Sequence, residues 1–178
     1  MRTSPLLLAG VKLYAEASEN LQFPITVRLY AYWKAKRGTR LRPRWSDFNL
    51  MDIYDSAPYI CVRDVLPGED DFLCRYWGTR LGELYGVDCT GKRIADTYPP
   101  PGVRHTLDIY RSALSSETPL RVVGNLGYVG RSELKHFEGV FLRLDGKEEP
   151  DRHVIGAFDF DCDLDAADLA KLEGPGTI

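Results

Sequence analysis

Four cysteines, three histidines and a run of spaced aspartates are the residues of this chain whose types would do chemistry. Cys61, Cys74, Cys89 and Cys162 contain no pair at CxxC spacing, so zinc-binding and thioredoxin-type readings fail. Cys61 and Cys74 fall on neighbouring predicted strands. Buried free thiols in a reducing compartment are the expectation for all four. Asp159, Asp161, Asp163 and Asp165 alternate as in the first half of a calcium loop. Such a loop needs Gly at its sixth position and Glu at its twelfth. Counted from Asp159, those positions hold Leu164 and Ala170, so the pattern fails. The acids read better as a strand end and a helix N-terminus, where the helix dipole favours them. The glycine-rich stretch from Gly124 to Gly130 has neither GxGxxG nor P-loop spacing, and no helix follows. It reads as a strand-to-strand turn. No G-x-S-x-G or H-E-x-x-H set appears, and no nucleophile–base pair is recognisable. The chain is expected not to be an enzyme.

The elements around these residues follow from periodicity. Pro24 suits a first helical turn, and Ile25, Leu29, Tyr32 and Trp33 share one face of the helix it opens. Gly38 ends that helix. Lys34, Lys36, Arg37, Arg40, Arg42 and Arg44 make a local basic cluster at its end. The plain explanation is a match to the C-terminal dipole plus a solvated linker; a docking face for an acidic partner is the sharper one. Ser46 or Asp47 would cap a short helix from Met51 to Tyr54. Residues 59–65 and 71–77 read as a β-hairpin around Pro67-Gly68. Short helices follow at 81–85 and 94–98. A longer one runs from about Gly102, after the break at Pro99-Pro100-Pro101, to Ser115. Its apolar face is Val103, Leu107, Tyr110 and Leu114. Residues 120–126, 134–144 and 153–160 read as three consecutive strands, and 165–173 as a closing short helix.

Hairpin, helices, then three strands argue for an α+β fold: a five-stranded antiparallel sheet with helices packed on one face and an N-terminal helix. A small ligand would sit between the cupped sheet and those helices. Strand alternation puts Phe72, Cys74 and Tyr76 on the helix-covered face, because Arg75, on the other, needs solvent or a carboxylate. Tyr110 would meet them from the long helix. Phe72, Cys74, Tyr76 and Tyr110 are therefore the candidate ligand-pocket residues. Trp77 would pack outside, against Tyr32 and Trp33. A filled aromatic core without a cavity is the competing reading.

The chain has 178 residues, 44% hydrophobic and 28% charged, with net charge −3 and pI near 5.6. That is ordinary composition for one soluble domain, with no basic excess for nucleic acid. No apolar run reaches membrane-spanning length. The apolar stretch before Lys12 is too short for a signal peptide, so residues 1–11 read as an N-terminal segment and the protein as cytoplasmic.

Arg42-Pro43-Arg44-Trp45-Ser46-Asp47-Phe48-Asn49, then Arg75-Tyr76-Trp77-Gly78-Thr79, then Gly86-Val87-Asp88-Cys89-Thr90-Gly91-Lys92 follow one another in the order of a recurrent pattern. Tyr30, Tyr32, Trp33, Arg37 and Gly38 add the helix before it. Together they resemble the PAS domain superfamily, in particular small stand-alone PAS-like proteins of alphaproteobacteria. The resemblance covers about residues 23–162. It implies an N-terminal extension over 1–22, a PAS-like domain over 23–163 with its helix at 23–38, and a short C-terminal helix and tail over 164–178. It also implies a sensory or signal-relay function, with a small-molecule ligand, a protein partner carrying the output, or both. A homodimer through the N-terminal helix is implied too; a ligand-free dimerisation or interaction module is the alternative, and an enzyme with an unrecognised site ranks third.

The resemblance leaves the cofactor unknown, since PAS domains bind haem, flavin, small metabolites or nothing. Light-sensing relatives carry a reactive cysteine where this chain has Ile94 in Gly91-Lys92-Arg93-Ile94, so covalent flavin photochemistry is not expected. Haem-binding relatives place a histidine on the long helix. His105 lies there, but at about 100° per residue it points away from the apolar face. His136 and His153 stand near strand starts without a partnered pattern, and no C-x-x-C-H is present.

Overall fold

Residues with β-branched or aromatic side chains in alternation, bounded by glycine and proline, become strands wherever one or both faces can be buried. In the computed structural model, which describes residues 12–98, 100–127, 134–147 and 151–175, six segments do so. They are β1 (Lys12–Ala17), β2 (Ile60–Val65), β3 (Phe72–Trp77), β4 (Leu120–Gly127), β5 (Leu134–Asp145) and β6 (Arg152–Phe160). The helices are α1 (Pro24–Arg37), α2 (Thr79–Tyr85), α3 (Ile94–Thr97), α4 (Pro100–Ser115) and α5 (Ala166–Glu173). The readings made for residues 1–11, Pro99 and Gly130 lie outside the described residues.

The strands form one sheet in the order β1-β4-β5-β6-β2-β3, antiparallel throughout. The fold is the expected α+β arrangement with six strands rather than five. The added strand is β1, which pairs with β4 from Lys12↔Asn125 to Ala17↔Leu120. Its Leu13 and Ala15 pack on one face of the sheet and Tyr14 on the other. So short an alternation carries little sequence signal by itself.

Helices α2, α3 and α4 cover one face, here the inner face. Phe72, Cys74, Leu81, Tyr110, Val122 and Phe141 are buried there. Helices α1 and α5 cover the outer face. Under α1 lie Leu29, Trp33, Val62, Val140, Leu144 and Ile155. Under α5 lie Val123, Cys162, Leu164 and Leu172. Each large apolar side chain fully buried in these layers contributes about 1.5–3 kcal/mol. No helix among the described residues is long and apolar enough to cross a membrane.

The ends of α1 explain two sequence features. Phe23 at its N-cap offers no side-chain hydrogen bond. The sheet supplies the acceptors instead. The Glu138 carboxylate accepts from the Gln22 and Phe23 backbone N–H groups at 3.0 and 3.2 Å and from the Thr26 hydroxyl. Asp159 accepts from the Ile25 N–H at 3.0 Å. Thus the first of the spaced aspartates caps α1, and the last, Asp165, caps α5 by accepting from the Asp168 N–H. At the other end, Gly38 takes φ +57° and its N–H reaches the Lys34 carbonyl. Cations of the basic cluster find partners within the chain: Lys36 pairs with Asp52, Arg40 with Asp47, and Arg37 stacks over Trp33.

Three local expectations change. The segment after α1 forms two 3-10 turns, Trp45–Asp47 and Leu50–Ile53. Asn49, not Ser46 or Asp47, caps the second by accepting from the Met51 N–H. The long helix begins at Pro100, since prolines fit a first turn whose N–H groups have no intrahelical acceptor. Gly78 is required by crowding: a Cβ there would stand 2.2 Å from the Pro58 carbonyl oxygen.

Candidate functional site

Strand β2 turns Cys61, Arg63 and Val65 toward the inner face and Ile60 and Val62 toward the outer. Both faces are covered, so Arg63 is carried into the interior and is 0% exposed. Its neighbour β3 contains a bulge. Val62 pairs with Tyr76 and Arg63 with Cys74, so Arg75 is the extra residue. The bulge reverses the alternation beyond it. Phe72 and Cys74 face inward as expected. Tyr76 faces outward, packs with the layer under α1, and donates its hydroxyl to the Ala57 carbonyl at 3.0 Å. Trp77 faces inward instead of packing on Tyr32 and Trp33. Arg75 reaches solvent and Asp64, at 2.7 Å.

Of the four residues read from the sequence, Phe72, Cys74 and Tyr110 therefore come together and Tyr76 does not. The Phe72 and Tyr110 rings lie 5.2 Å apart, and Tyr110 meets Phe141 edge-on at the same distance. The Tyr110 hydroxyl contacts the Cys61 sulfur at 3.1 Å. Sequence reasoning missed Arg63, Trp77 and Tyr98. The available signal was Arg63 itself, a charge breaking the otherwise apolar run Ile60-Cys61-Val62 on a strand flanked on both sides.

The Arg63 guanidinium lies between two rings, 5.6 Å from the Trp77 centroid and 5.4 Å from that of Tyr110. Such cation–π contacts contribute about 2 kcal/mol when desolvated, less than the cost of burying a charge. Among the described residues none of its three nitrogens, Nε, Nη1 or Nη2, meets an acceptor in close hydrogen-bond geometry, and neither does the Trp77 indole N–H; the polar groups that approach the guanidinium, the Tyr98 hydroxyl and the Cys89 thiol, are neutral. Burial works against the guanidinium's charge, yet its pKa stands above the ordinary value, because Tyr110, Tyr98, Cys74 and Cys61 favour the cation once they ionise. Burial pushes all of these up: Cys74 to about 12, and Cys61 and both tyrosines above their ordinary values. Cys89 nearby is raised to about 11, again by burial. At neutral pH none of them is a counter-ion. The acids adjacent in sequence are engaged elsewhere. Asp64 binds Arg75 and His153, and Asp71 accepts from the Ile94 and Ala95 N–H groups at the start of α3.

A second buried arginine sets the contrast. Arg121, 2% exposed, donates through Nε to Glu138 at 2.7 Å and through Nη1 and Nη2 to Asp168 at 2.9 and 2.6 Å. Glu16 approaches it at 3.3 Å. That cluster is saturated and joins β4, β5 and α5; it is structural. An open cleft of about 570 Å³ between α4 and β4 is also present. Its cation, Arg111, already donates to the Glu69 and Asp70 carbonyls. The Arg63 site is the stronger candidate because there, among the described residues, all three nitrogens of one guanidinium are buried without an acceptor.

His105 is half-buried on α4, and His153 bonds Asp64 through Nδ1 at 2.7 Å. Among the described residues no group of three or more His, Cys, Asp or Glu side chains is placed to hold a metal.

The family model described as PAS domain matches residues 21–158, a span that includes α1, Arg63 and nearly all of β6. No curated protein and no solved structure matches the chain.

Proposed function

The chain belongs to the PAS domain family, and from that premise we propose that it is a sensory module that takes a small molecule on the inner face of its sheet, beneath α2–α4. The observation that carries this reading is Arg63, a fully buried cation with no anionic partner for its three nitrogens among the described residues. A fold does not bury an unpaired charge without cost, so the missing acceptor belongs to something that binds there. A protein partner reads the bound state. The module is not catalytic in this reading, since its inner-face thiols and phenols are held protonated by burial. Four free buried cysteines accord with a reducing compartment such as the cytoplasm.

A second reading is a homodimeric interaction module. Met51 and Tyr54 favour it: both are large, mostly exposed and close to α1, to which Asp52 and Asp55 tie the same segment through Lys36 and Arg28.

Native mass spectrometry on protein purified without added ligand separates the two. The sensor reading predicts a small-molecule mass retained on the chain, lost on denaturation. Bare protein at dimer mass contradicts it and favours the interaction module.

A further inference from the structure

The chemistry around Arg63 specifies more than the presence of a ligand. The unpartnered groups are all donors: three guanidinium nitrogens and the Trp77 indole N–H. Their counterpart must be an acceptor, and the low local dielectric makes a charged acceptor far better than a neutral one. A guanidinium presents a planar fork that matches the two oxygens of a carboxylate. The number of charges is also bounded. The sheet's other inner-face arginines are already engaged: Arg143 donates to the Leu114 carbonyl and pairs with Asp145, and Arg152 pairs with Glu69. One uncompensated positive charge neutralises one negative charge, whereas a phosphate dianion or dicarboxylate would leave a second charge buried. The inner-face core to which the Trp77 and Tyr110 rings belong is otherwise largely apolar and includes Phe72, Ile94 and Phe141.

Resting on the ligand reading above, we infer that the ligand is an organic monocarboxylate with an apolar body, its carboxylate seated on the Arg63 fork with Trp77 Nε1 as a further donor. Arg63 is then a binding residue and not a structural one. Removing it leaves the ligand-free fold no weaker, because a buried charge without a partner disappears.

The test uses the full chain. The purified protein is precipitated with organic solvent, and the released compounds are identified by mass spectrometry. The same protein is titrated with benzoate and with benzamide, which share shape but not charge, and thermal unfolding is followed. The expected extract contains a monocarboxylate. Where the extract is empty, benzoate is expected to raise the unfolding temperature and benzamide to leave it unchanged. In Arg63→Met the affinity for the released compound, or for benzoate, falls about ten- to hundredfold, and the ligand-free unfolding temperature holds or rises. Arg63→Lys, which keeps the charge but loses the fork, is the second variant, and its affinity falls as well. A released neutral or cationic compound overturns the monocarboxylate while leaving the sensor reading in place. An empty extract with no response to either probe overturns both. Unchanged affinity in both variants, or a ligand-free Arg63→Met that unfolds at clearly lower temperature, makes Arg63 structural and overturns the assignment.

Discussion

Arg121 and Arg63 are buried to nearly the same degree, and their surroundings differ in one respect. Arg121 meets Glu138, Asp168 and Glu16; Arg63 meets two aromatic rings and groups that stay neutral. The fold therefore has the means to neutralise an interior arginine and does not use them at Arg63. The thiols nearby carry a prediction at the same scale. Cys61 lies beside a cation, which would ordinarily make a thiol reactive, but burial outweighs that attraction and pushes it up. Cys74, Cys89 and Cys162 are raised as well, chiefly by burial. In the native protein near pH 8, an aromatic disulfide reagent is expected to label none of the four within minutes, and to label all four in concentrated guanidinium. A native thiol reacting at the rate of free cysteine would show that one of them is activated.

Two elements depend on the Arg121 cluster. Asp168 on α5 and Glu138 beneath the start of α1 both bind Arg121, so one cation holds one helix directly and the other through a shared carboxylate. The Arg121 guanidinium holds the Asp168 carboxyl below the usual carboxylate range, with Lys171 assisting. A depressed carboxylate pKa stabilises the fold above the unfolded pKa of about 3.9, and the contribution is lost as pH falls through the folded pKa. Asp168→Asn is expected to cost about 3 kcal/mol at neutral pH, read as a lower urea midpoint. The gap to the parent protein should narrow below about pH 4, as Asp168 itself becomes protonated. A gap that persists unchanged into acid would mean that Asp168 acts through packing and not through charge. At this scale the sequence was legible where periodicity operates. The hairpin, the long helix and the three final strands lie within a residue or two of their expected bounds, because alternation and helical spacing report burial directly. The bulge at Arg75 was not legible. A single extra residue has no composition signal, yet it exchanged Tyr76 for Trp77 on the inner face. The role of Glu138 was hidden for a related reason, since its partners Gln22, Phe23 and Arg121 lie far off in sequence.

Across the whole molecule, β2 and β3 connect the two layers. β2 presents Arg63 to the inner face and Val62 to the outer face beneath α1, one residue apart. An anion drawn onto Arg63 would bear on the strand against which α1 packs, a short mechanical route from ligand to the helix expected to meet a partner. The fold class was readable from the sequence, and so was the gathering of Phe72, Cys74 and Tyr110 on the inner face. The cation among them was not singled out, because a charged residue in a strand is ordinarily at the surface. The most direct test of the account is a crystal structure of the protein as purified, judged by the density around the Arg63 guanidinium. The account predicts a non-protein molecule with two oxygen atoms within hydrogen-bonding distance of the fork. A guanidinium bonded to a carboxylate of the chain itself, or to ordered water alone, would contradict it.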